Sequence, residues 1–226
     1  MNRLPLWVKI CGNTSLADAQ LAVEAGADAV GFVLAPSPRH VNLDEVAAIT
    51  SHLPTSIEKI GVFVDAGLEE IYAAVSVCGL TGVQLHFAAS AALPAKLRDR
   101  LGPSLRILRV LHFESGTGDA LAKQLTEHAR DSHIDGVLID SRTASAVGGT
   151  GIAFDWEAAR KTVFASADKL KLIAAGGLNP TNVAEAVATL RPWGVDVVSG
   201  VEAAPGRKDA AKVRQFVANA RAAQPK

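Results

Sequence analysis

The sequence contains little cysteine. Only two cysteines, Cys11 and Cys78, occur among 226 residues. Two are too few for a scaffold held by disulfides, and they form no C-x-x-C pair of the kind that binds zinc. No group of His, Asp or Glu residues has the spacing of metal ligands either. We therefore predict a protein of the reducing cytoplasm that binds no metal ion.

Net charge and long apolar runs are also missing. The chain has 23 Lys and Arg against 23 Asp and Glu, so its formal net charge is zero, and it lacks the basic footprint of a nucleic-acid binder. No apolar run approaches the roughly 18 residues of a membrane span, and residues 1–12 lack a signal-peptide core. We expect no nucleic acid and no membrane as partner. Aromatic residues make up only 5%, so Ala, Val, Leu and Ile must form the core.

A short apolar run recurs eight times, about 28 residues apart, and a polar turn and a helical pattern follow it. Continuous apolar runs are typical of parallel strands covered on both faces. Eight such units without a break predict one domain over residues 1–226, a (β/α)8 TIM barrel with a parallel eight-stranded core. The alternative is an open doubly wound sheet, but no G-x-G-x-x-G follows the first run. The predicted strands are Trp7–Cys11, Asp28–Leu34, Lys59–Val64, Gly82–His86, Leu105–Leu111, Gly136–Asp140, Lys171–Ala175 and Val195–Ser199.

Capping residues predict where two of the helices begin. Ser15 is a suitable N-cap for the first helix, and Gly26 is placed to end it. Asn179 followed by Pro180 predicts the start of the seventh helix. Cys78 falls at the end of an apolar helix and is expected to be structural. Further helices are predicted over 69–77, 91–101, 119–130 and 155–163.

Reactive side chains stand where predicted strands end, which is where barrel enzymes carry their chemistry. Cys11 ends the first strand and Asp140 the sixth, and alternation along a strand allows both to face the interior. A thiol and a carboxyl on one cavity suit proton transfer. The residues alone leave alternatives open, because Cys11 could be a small buried hydrophobe and Asp140 a turn residue. His86 ends the fourth strand as another candidate base, or as a donor to a backbone carbonyl.

Glycine turns follow the last two strands, where barrels commonly bind phosphate. Gly176-Gly177 and Ser199-Gly200 would let backbone N–H groups approach an anion. Lys9 faces inward on the first strand, and a buried lysine needs a partner. Asp196 on the neighbouring eighth strand is the predicted partner, in an ion pair beneath the site. The alternative is that Lys9 reaches the rim of the barrel.

Eight short segments occur in order over about residues 7–209. They are Val8-Lys9-Ile10-Cys11-Gly12, Gly26-Ala27-Asp28-Ala29-Val30-Gly31-Phe32, Ser37-Pro38-Arg39, Gln84-Leu85-His86, Gly148-Gly149-Thr150-Gly151, Phe154-Asp155-Trp156, Gly176-Gly177-Leu178-Asn179-Pro180 and Ser199-Gly200-Val201-Glu202. Together they closely resemble the phosphoribosylanthranilate isomerase family of tryptophan biosynthesis. Each motif is modest alone, but the ordered set is specific.

The resemblance implies an Amadori rearrangement of N-(5-phosphoribosyl)anthranilate to 1-(2-carboxyphenylamino)-1-deoxyribulose 5-phosphate, without a cofactor. It implies that Cys11 is the general base, Asp140 the general acid and Arg39 the group that holds the anthranilate carboxylate. Backbone N–H groups at Gly176-Gly177 and Ser199-Gly200 would hold the phosphate. A thiol that titrates near 8.5 would be a usable base. The only implied partner is this small molecule, and the chain is expected to be a monomer or a homodimer.

Some positions differ from the family pattern. Phe87-Ala88-Ala89 follows His86 in place of Gly and an acidic residue, which puts a substrate-binding role of His86 in doubt. Val198 and Asn13 also replace the usual residue types. Two rival functions remain at this point. One is the histidine-pathway isomerase, which resembles this barrel but has Asp in place of Cys11 and two phosphate sites. The other is a barrel that only binds a sugar phosphate.

Overall fold

Eight parallel strands close into a barrel in the computed structural model of the protein, and β8 pairs with β1. The predicted (β/α)8 barrel is thereby confirmed. The bounds of β4 and β6 agree with the prediction, and the other strands differ by one or two residues at an end. The strands are β1 Trp7–Ile10, β2 Ala29–Val33, β3 Glu58–Val64, β4 Gly82–His86, β5 Arg106–His112, β6 Gly136–Asp140, β7 Leu172–Ala175 and β8 Gly194–Val197.

The structure describes residues 5–86, 90–112, 118–140, 160 and 170–224. Seven helices surround the barrel within these ranges: α1 Leu16–Glu24, α2 Leu43–Thr50, α3 Leu68–Cys78, α4 Leu93–Leu101, α5 Gly118–His128, α6 Val183–Leu190 and α7 Ala210–Ala222. None of them is long and apolar enough to cross a membrane. The motifs at 148–151 and 154–156 lie outside the described residues, as does the helix predicted over 155–163 apart from residue 160.

Side-chain alternation separates the core into two layers. On β1, Val8 and Ile10 pack outward against the helices, whereas Trp7 and Lys9 point into the barrel. The interior contains a buried apolar cluster formed by Trp7, Ala29, Ile60, Leu108, Val110, Leu138, Ile173 and Ala175. Because the same alternation continues to the strand ends, the last inward position of each strand faces the mouth of the barrel.

The two helix starts that capping residues predicted have different outcomes. Ser15 caps α1 as expected, since its Oγ accepts from the Asp18 N–H at 3.2 Å. The helix that the sequence predicts as the seventh is α6 of the structure. Its predicted start at Pro180 is wrong, because α6 begins one turn later, at Val183, with Asn182 at the N-cap position. Asn179 instead closes a turn, accepting at Oδ1 from the N–H groups of Thr181 and Asn182 at 2.8 and 3.2 Å.

The predicted eighth strand is too long at its C-terminal end. It ends at Val197, and Ser199–Val201 form a short 3-10 helix. Gly200 packs directly on the backbone after β7, where a Cβ would lie 1.9 Å from the Leu178 carbonyl oxygen. This close approach forces the chain out of the strand. An antiparallel hairpin that the sequence did not predict follows, formed by β9 Glu202–Ala204 and β10 Arg207–Lys208.

Candidate active site

The sequence-predicted acid and base both lie at the C-terminal end of the barrel. Cys11 directly follows β1 and Asp140 ends β6, and both are buried. Leu138, two residues before Asp140, belongs to the interior cluster, so alternation turns the Asp140 side chain inward. His112 on β5 is the strand neighbour of Asp140. The structure therefore places a thiol, a carboxyl and an imidazole on the same rim.

Lys9 lies directly beneath this rim and is fully buried. Its ammonium donates to Asp196 Oδ1 at 3.0 Å, so the predicted ion pair is present, and to Gln84 Oε1 at 2.8 Å. Its positive charge also acts on the Cys11 side chain. The lysine thus ties β1 to β4 and β8 beneath the rim.

Cys11 is packed closely against β2. A Cβ added at Gly31 would lie 2.5 Å from the Cys11 Sγ and 2.9 Å from the Lys9 Cε. Gly31 therefore leaves the space that the thiol and the lysine occupy. Asn13, one of the departures from the family pattern, is buried and donates to the carbonyls of Ile10 and Gly31 at 2.8 and 3.2 Å. It joins the end of β1 to the middle of β2.

Burial raises the pKa of the Cys11 thiol, while the positive charges of Lys9 and Lys208 act in the opposite direction. The net direction is upward, so the neutral thiol is favoured more than the sequence alone suggests. For Lys9, burial lowers the pKa, but Asp196 and Cys11 outweigh that effect and raise it. Lys9 is therefore a permanent positive charge beside the thiol, and it favours the thiolate once a proton leaves.

Arg39 reaches the same rim across Gly12. A Cβ at Gly12 would lie 3.0 Å from the Arg39 Cδ, and the left-handed φ of +72° also favours glycine there. The guanidinium donates from Nε and Nη2 to the two carboxylate oxygens of Glu202, at 2.8 and 2.6 Å. This pair uses two of the five N–H groups of Arg39. The structure thus adds a protein carboxylate where only a substrate carboxylate was predicted.

Lys208 completes the network around Glu202. Its ammonium donates to Glu202 Oε1 at 3.3 Å, to the Cys11 carbonyl at 2.5 Å and to the Val198 carbonyl at 3.3 Å. Burial alone would raise the pKa of Glu202, but Arg39 and Lys208 together hold it below its usual value. The β9–β10 hairpin therefore fastens Arg39 to the backbone beside the thiol.

Glycines shape the loops after β7 and β8. Gly176 and Gly177 have φ values of +80° and +64°, which L-residues with side chains rarely adopt. Gly200 lies in the 3-10 helix against the Leu178 carbonyl. The two loops that the sequence assigned to phosphate therefore pack against each other on one side of the mouth.

The sequence did not identify every residue of the site. Gln84 and Glu202 stand in motifs that carry the family resemblance, but no role was predicted for either. Gly31 and Lys208 were also missed, because their importance comes from contacts with residues distant in sequence. Among the residues that the structure describes, no cluster of three His, Cys, Asp or Glu side chains could hold a metal ion.

The fold and the site define a class of protein: a (β/α)8-barrel enzyme with a buried thiol, a buried carboxyl and glycine-shaped loops at its C-terminal face. The family model for N-(5'phosphoribosyl)anthranilate (PRA) isomerase matches residues 8–219. The chain belongs to this family.

Individual relatives agree with the family match. A protein of Geobacter sp. (strain M21) named N-(5'-phosphoribosyl)anthranilate isomerase is 44% identical over 215 residues, which cover 95% of this chain and 97% of that protein. A relative of the same name from Trichlorobacter lovleyi is 42% identical over 217 residues, 96% and 98% of the two chains.

Solved structures are similar over the same length. The phosphoribosyl anthranilate isomerase of Thermotoga maritima has a TM-score of 0.82 at 35% identity, with 96% of this chain and 99% of that chain covered. A phosphoribosyl anthranilate isomerase in complex with reduced 1-(o-carboxyphenylamino)-1-deoxyribulose 5-phosphate has a TM-score of 0.79 at 33% identity, with the same coverage.

Proposed function

We propose that the chain isomerises N-(5-phosphoribosyl)anthranilate with Cys11 as general base and Asp140 as general acid. The observation that carries this assignment is the placement of a buried thiol and a buried carboxyl on the inward side of one barrel mouth, with the Lys9 ammonium beside the thiol. The reaction is the Amadori rearrangement, an aldose–ketose isomerisation of tryptophan biosynthesis.

Two proton transfers to and from protein groups lead to the enolamine, which then tautomerises. Protonated Asp140 gives its proton to the furanose ring oxygen, and the ring opens to a Schiff base. The Cys11 thiolate then removes the proton from C2 of the sugar, and the resulting enolamine tautomerises to the ketone. No electron leaves or enters the molecule. Because burial raises the pKa of Cys11, the positive charge of Lys9 is needed to make the thiolate accessible.

The two anionic ends of the substrate fix its orientation. Arg39 binds the anthranilate carboxylate through the guanidinium edge that Glu202 does not use, while Glu202 holds the side chain over Gly12. Backbone N–H groups at Gly177 and Gly200 bind the phosphate on the side of β7 and β8.

The acid–base assignment is tested by Cys11→Ala and Asp140→Asn, each followed by the loss of substrate fluorescence on turnover. Each change should lower kcat by at least about 100-fold, the scale of general acid–base catalysis, with little effect on KM. Cys78→Ala is the matched control, because Cys78 is also buried but donates to the Leu43 carbonyl in the helical layer. Near-normal turnover in Cys11→Ala would refute the assignment.

Arg39→Met separates this substrate from the bisphosphate of the histidine-pathway isomerase. Losing a charge-assisted pair should raise KM by about 10- to 150-fold, whereas the affinity for ribose 5-phosphate, which has no carboxylate, should stay unchanged. Arg214→Met, on an exposed arginine of α7, is the control, and circular dichroism checks folding. Equal weakening of both ligands would place Arg39 in a phosphate site and contradict the proposal.

A cytoplasmic location and a monomeric or homodimeric state complete the proposal. Both cysteines are buried thiols without a disulfide, which suits a reducing compartment. One similar structure is described as monomers made from the dimeric isomerase of Thermotoga maritima. Light scattering after size-exclusion chromatography distinguishes the two states, and a larger assembly would overturn this part.

A further inference from the structure

The buried ammonium of Lys9 fixes the orientation of one amide in the barrel. Gln84 is buried on β4 and points inward, with its Oε1 2.8 Å from the Lys9 Nζ. An ammonium only donates hydrogen bonds, so the side-chain atom that faces it must be the amide oxygen. The Gln84 Nε2 group, which only donates, therefore points away from Lys9 in a known direction.

The Gln84 Nε2 group points towards the His86 ring. The Gln84 Nε2 lies 3.2 Å from the His86 Nε2. Since the amide nitrogen carries two hydrogens and no lone pair for bonding, the imidazole nitrogen must accept. A neutral imidazole has one acceptor and one donor nitrogen, and an imidazolium has none that accepts. The hydrogen bond therefore requires a neutral ring whose proton is on Nδ1.

We propose that Gln84 is a positioning residue that fixes His86 as a neutral imidazole with its proton on Nδ1. The amide cannot rotate to relieve this constraint, because its nitrogen would then face the ammonium of Lys9. Asp196 holds that ammonium in place at 3.0 Å. Hydrogen bonds thus connect four side chains in a row, from Asp196 on β8 through Lys9 on β1 to Gln84 and His86 on β4.

Other ionisable groups surround His86 on the same rim. The His112 ring lies 6.3 Å from the His86 ring, centre to centre, and Val64, the strand neighbour of His86, is followed by Asp65. Within the described residues, the charged and titratable groups on the strands around His86 and at their ends are Lys9, Cys11, Glu58, Lys59, Asp65, Arg106, Arg109, His112, Asp140 and Asp196. By strand alternation, Lys9, Cys11, His112, Asp140 and Asp196 face the interior together with His86. These charges act on the ring in both directions, so the assignment rests on the hydrogen bond between Gln84 and His86.

The fixed tautomer defines what His86 can do. It is a hydrogen-bond donor at Nδ1, and its Nε2 lone pair is already used by Gln84, so His86 is not the base of the reaction. This answers the question that the strand-end position left open, between a base and a donor. Its contribution to substrate binding rests on the proposed function, but its tautomer does not.

The tautomer is measured directly by 15N NMR of the histidine side chains in the full-length wild-type chain. His86→Asn identifies the His86 signal among the six histidines. We expect a neutral ring with Nδ1 protonated and Nε2 unprotonated at pH 7. An Nε2-protonated ring or an imidazolium at pH 7 overturns the proposal without any variant.

Two substitutions test whether Gln84 is the cause. Gln84→Glu places a carboxylate against Nε2, so the proton should move to Nε2 and the titration midpoint should rise by about one pH unit or more. Gln84→Leu should allow His86 to populate both neutral tautomers. It should also raise KM by about 2- to 12-fold, which corresponds to the loss of one neutral hydrogen bond, with a smaller change in kcat. Gln20→Glu, at an exposed position of α1, is the control and should change neither.

The NMR and activity measurements distinguish a failure of the Gln84 proposal from a failure of the proposed function. An unchanged tautomer and midpoint in Gln84→Glu and Gln84→Leu would refute the role of Gln84, whatever the turnover. A wild-type chain with the expected tautomer but no isomerase activity would instead contradict the function. A variant that fails to fold, judged by circular dichroism, leaves the wild-type tautomer as the deciding result.

Discussion

Lys9→Met should be one of the most destabilising single changes in the barrel. The Lys9 ammonium is fully buried, and the Asp196 carboxylate beside it is only 5% exposed, at a distance of 3.0 Å. Methionine fills a similar volume, so the main effect is an uncompensated carboxylate in the barrel interior. Removing one partner of such a pair costs about 3–5 kcal/mol. The Gln84 amide oxygen loses its donor as well.

Urea unfolding of three variants measures this cost. Lys59→Met is the matched control, because Lys59 is also buried but donates only to the backbone carbonyls of Pro54 and Ile57. It should cost less than Lys9→Met, since no charge is left uncompensated. The double variant Lys9→Met/Asp196→Asn removes both charges and should recover about 0.5–3 kcal/mol relative to additivity.

The pH dependence provides a second check on the same pair. The pKa of Lys9 is raised in the folded state, so its stabilisation is complete below the ordinary value near 10.4 and is lost as pH rises through the higher folded-state value. Lys9→Met should lack that alkaline loss. The reasoning is refuted if Lys9→Met costs no more than Lys59→Met, or if the double variant is simply additive.

Two further predictions concern the thiol. Gly31→Ala places a Cβ 2.5 Å from the Cys11 Sγ and should lower kcat by about 100-fold, because it displaces the base. The control is Gly67→Ala, where nothing lies within 4 Å of the new Cβ. A wild-type kcat in Gly31→Ala would contradict the close packing of Cys11 on β2. Because burial raises the pKa of Cys11 and the base must be deprotonated, kcat/KM should rise with pH to a midpoint above about 8.5. Lys9→Met should move that midpoint higher still, whereas a flat pH–rate profile would exclude the thiol as base.

The fold could be predicted from the sequence because its signals are local. Each strand is a continuous apolar run and each helix a periodic one, so eight repeats determine a barrel whatever the details of the loops. Alternation also brings Lys9 and Asp196 onto one inward surface, because a closed barrel makes the first and last strands neighbours. The same alternation turns Cys11 and Asp140 toward the mouth. These conclusions need only the period of a strand and closure of the sheet.

Local signals failed where a turn depends on contacts with another segment. Asn179 has the sequence features of an N-cap, yet its side chain closes a turn, and Asn182 occupies the N-cap position without a side-chain capping hydrogen bond. The eighth strand ends early because Gly200 must pack on the Leu178 carbonyl. In both places two loops compete for the same space at the barrel mouth, and the chain's own propensity does not decide the outcome.

The charges and protons of the site were decided by tertiary structure alone. The sequence offers an arginine for a substrate carboxylate, but only folding brings Glu202 onto that arginine and Lys208 onto the backbone of Cys11. A cysteine in sequence suggests a base near its ordinary pKa, but burial raises that pKa and a lysine from the same strand opposes the shift. These effects depend on distances of a few ångströms between residues up to 197 positions apart. Electrostatic energies fall with distance and rise with burial, and neither quantity is defined until the barrel has closed.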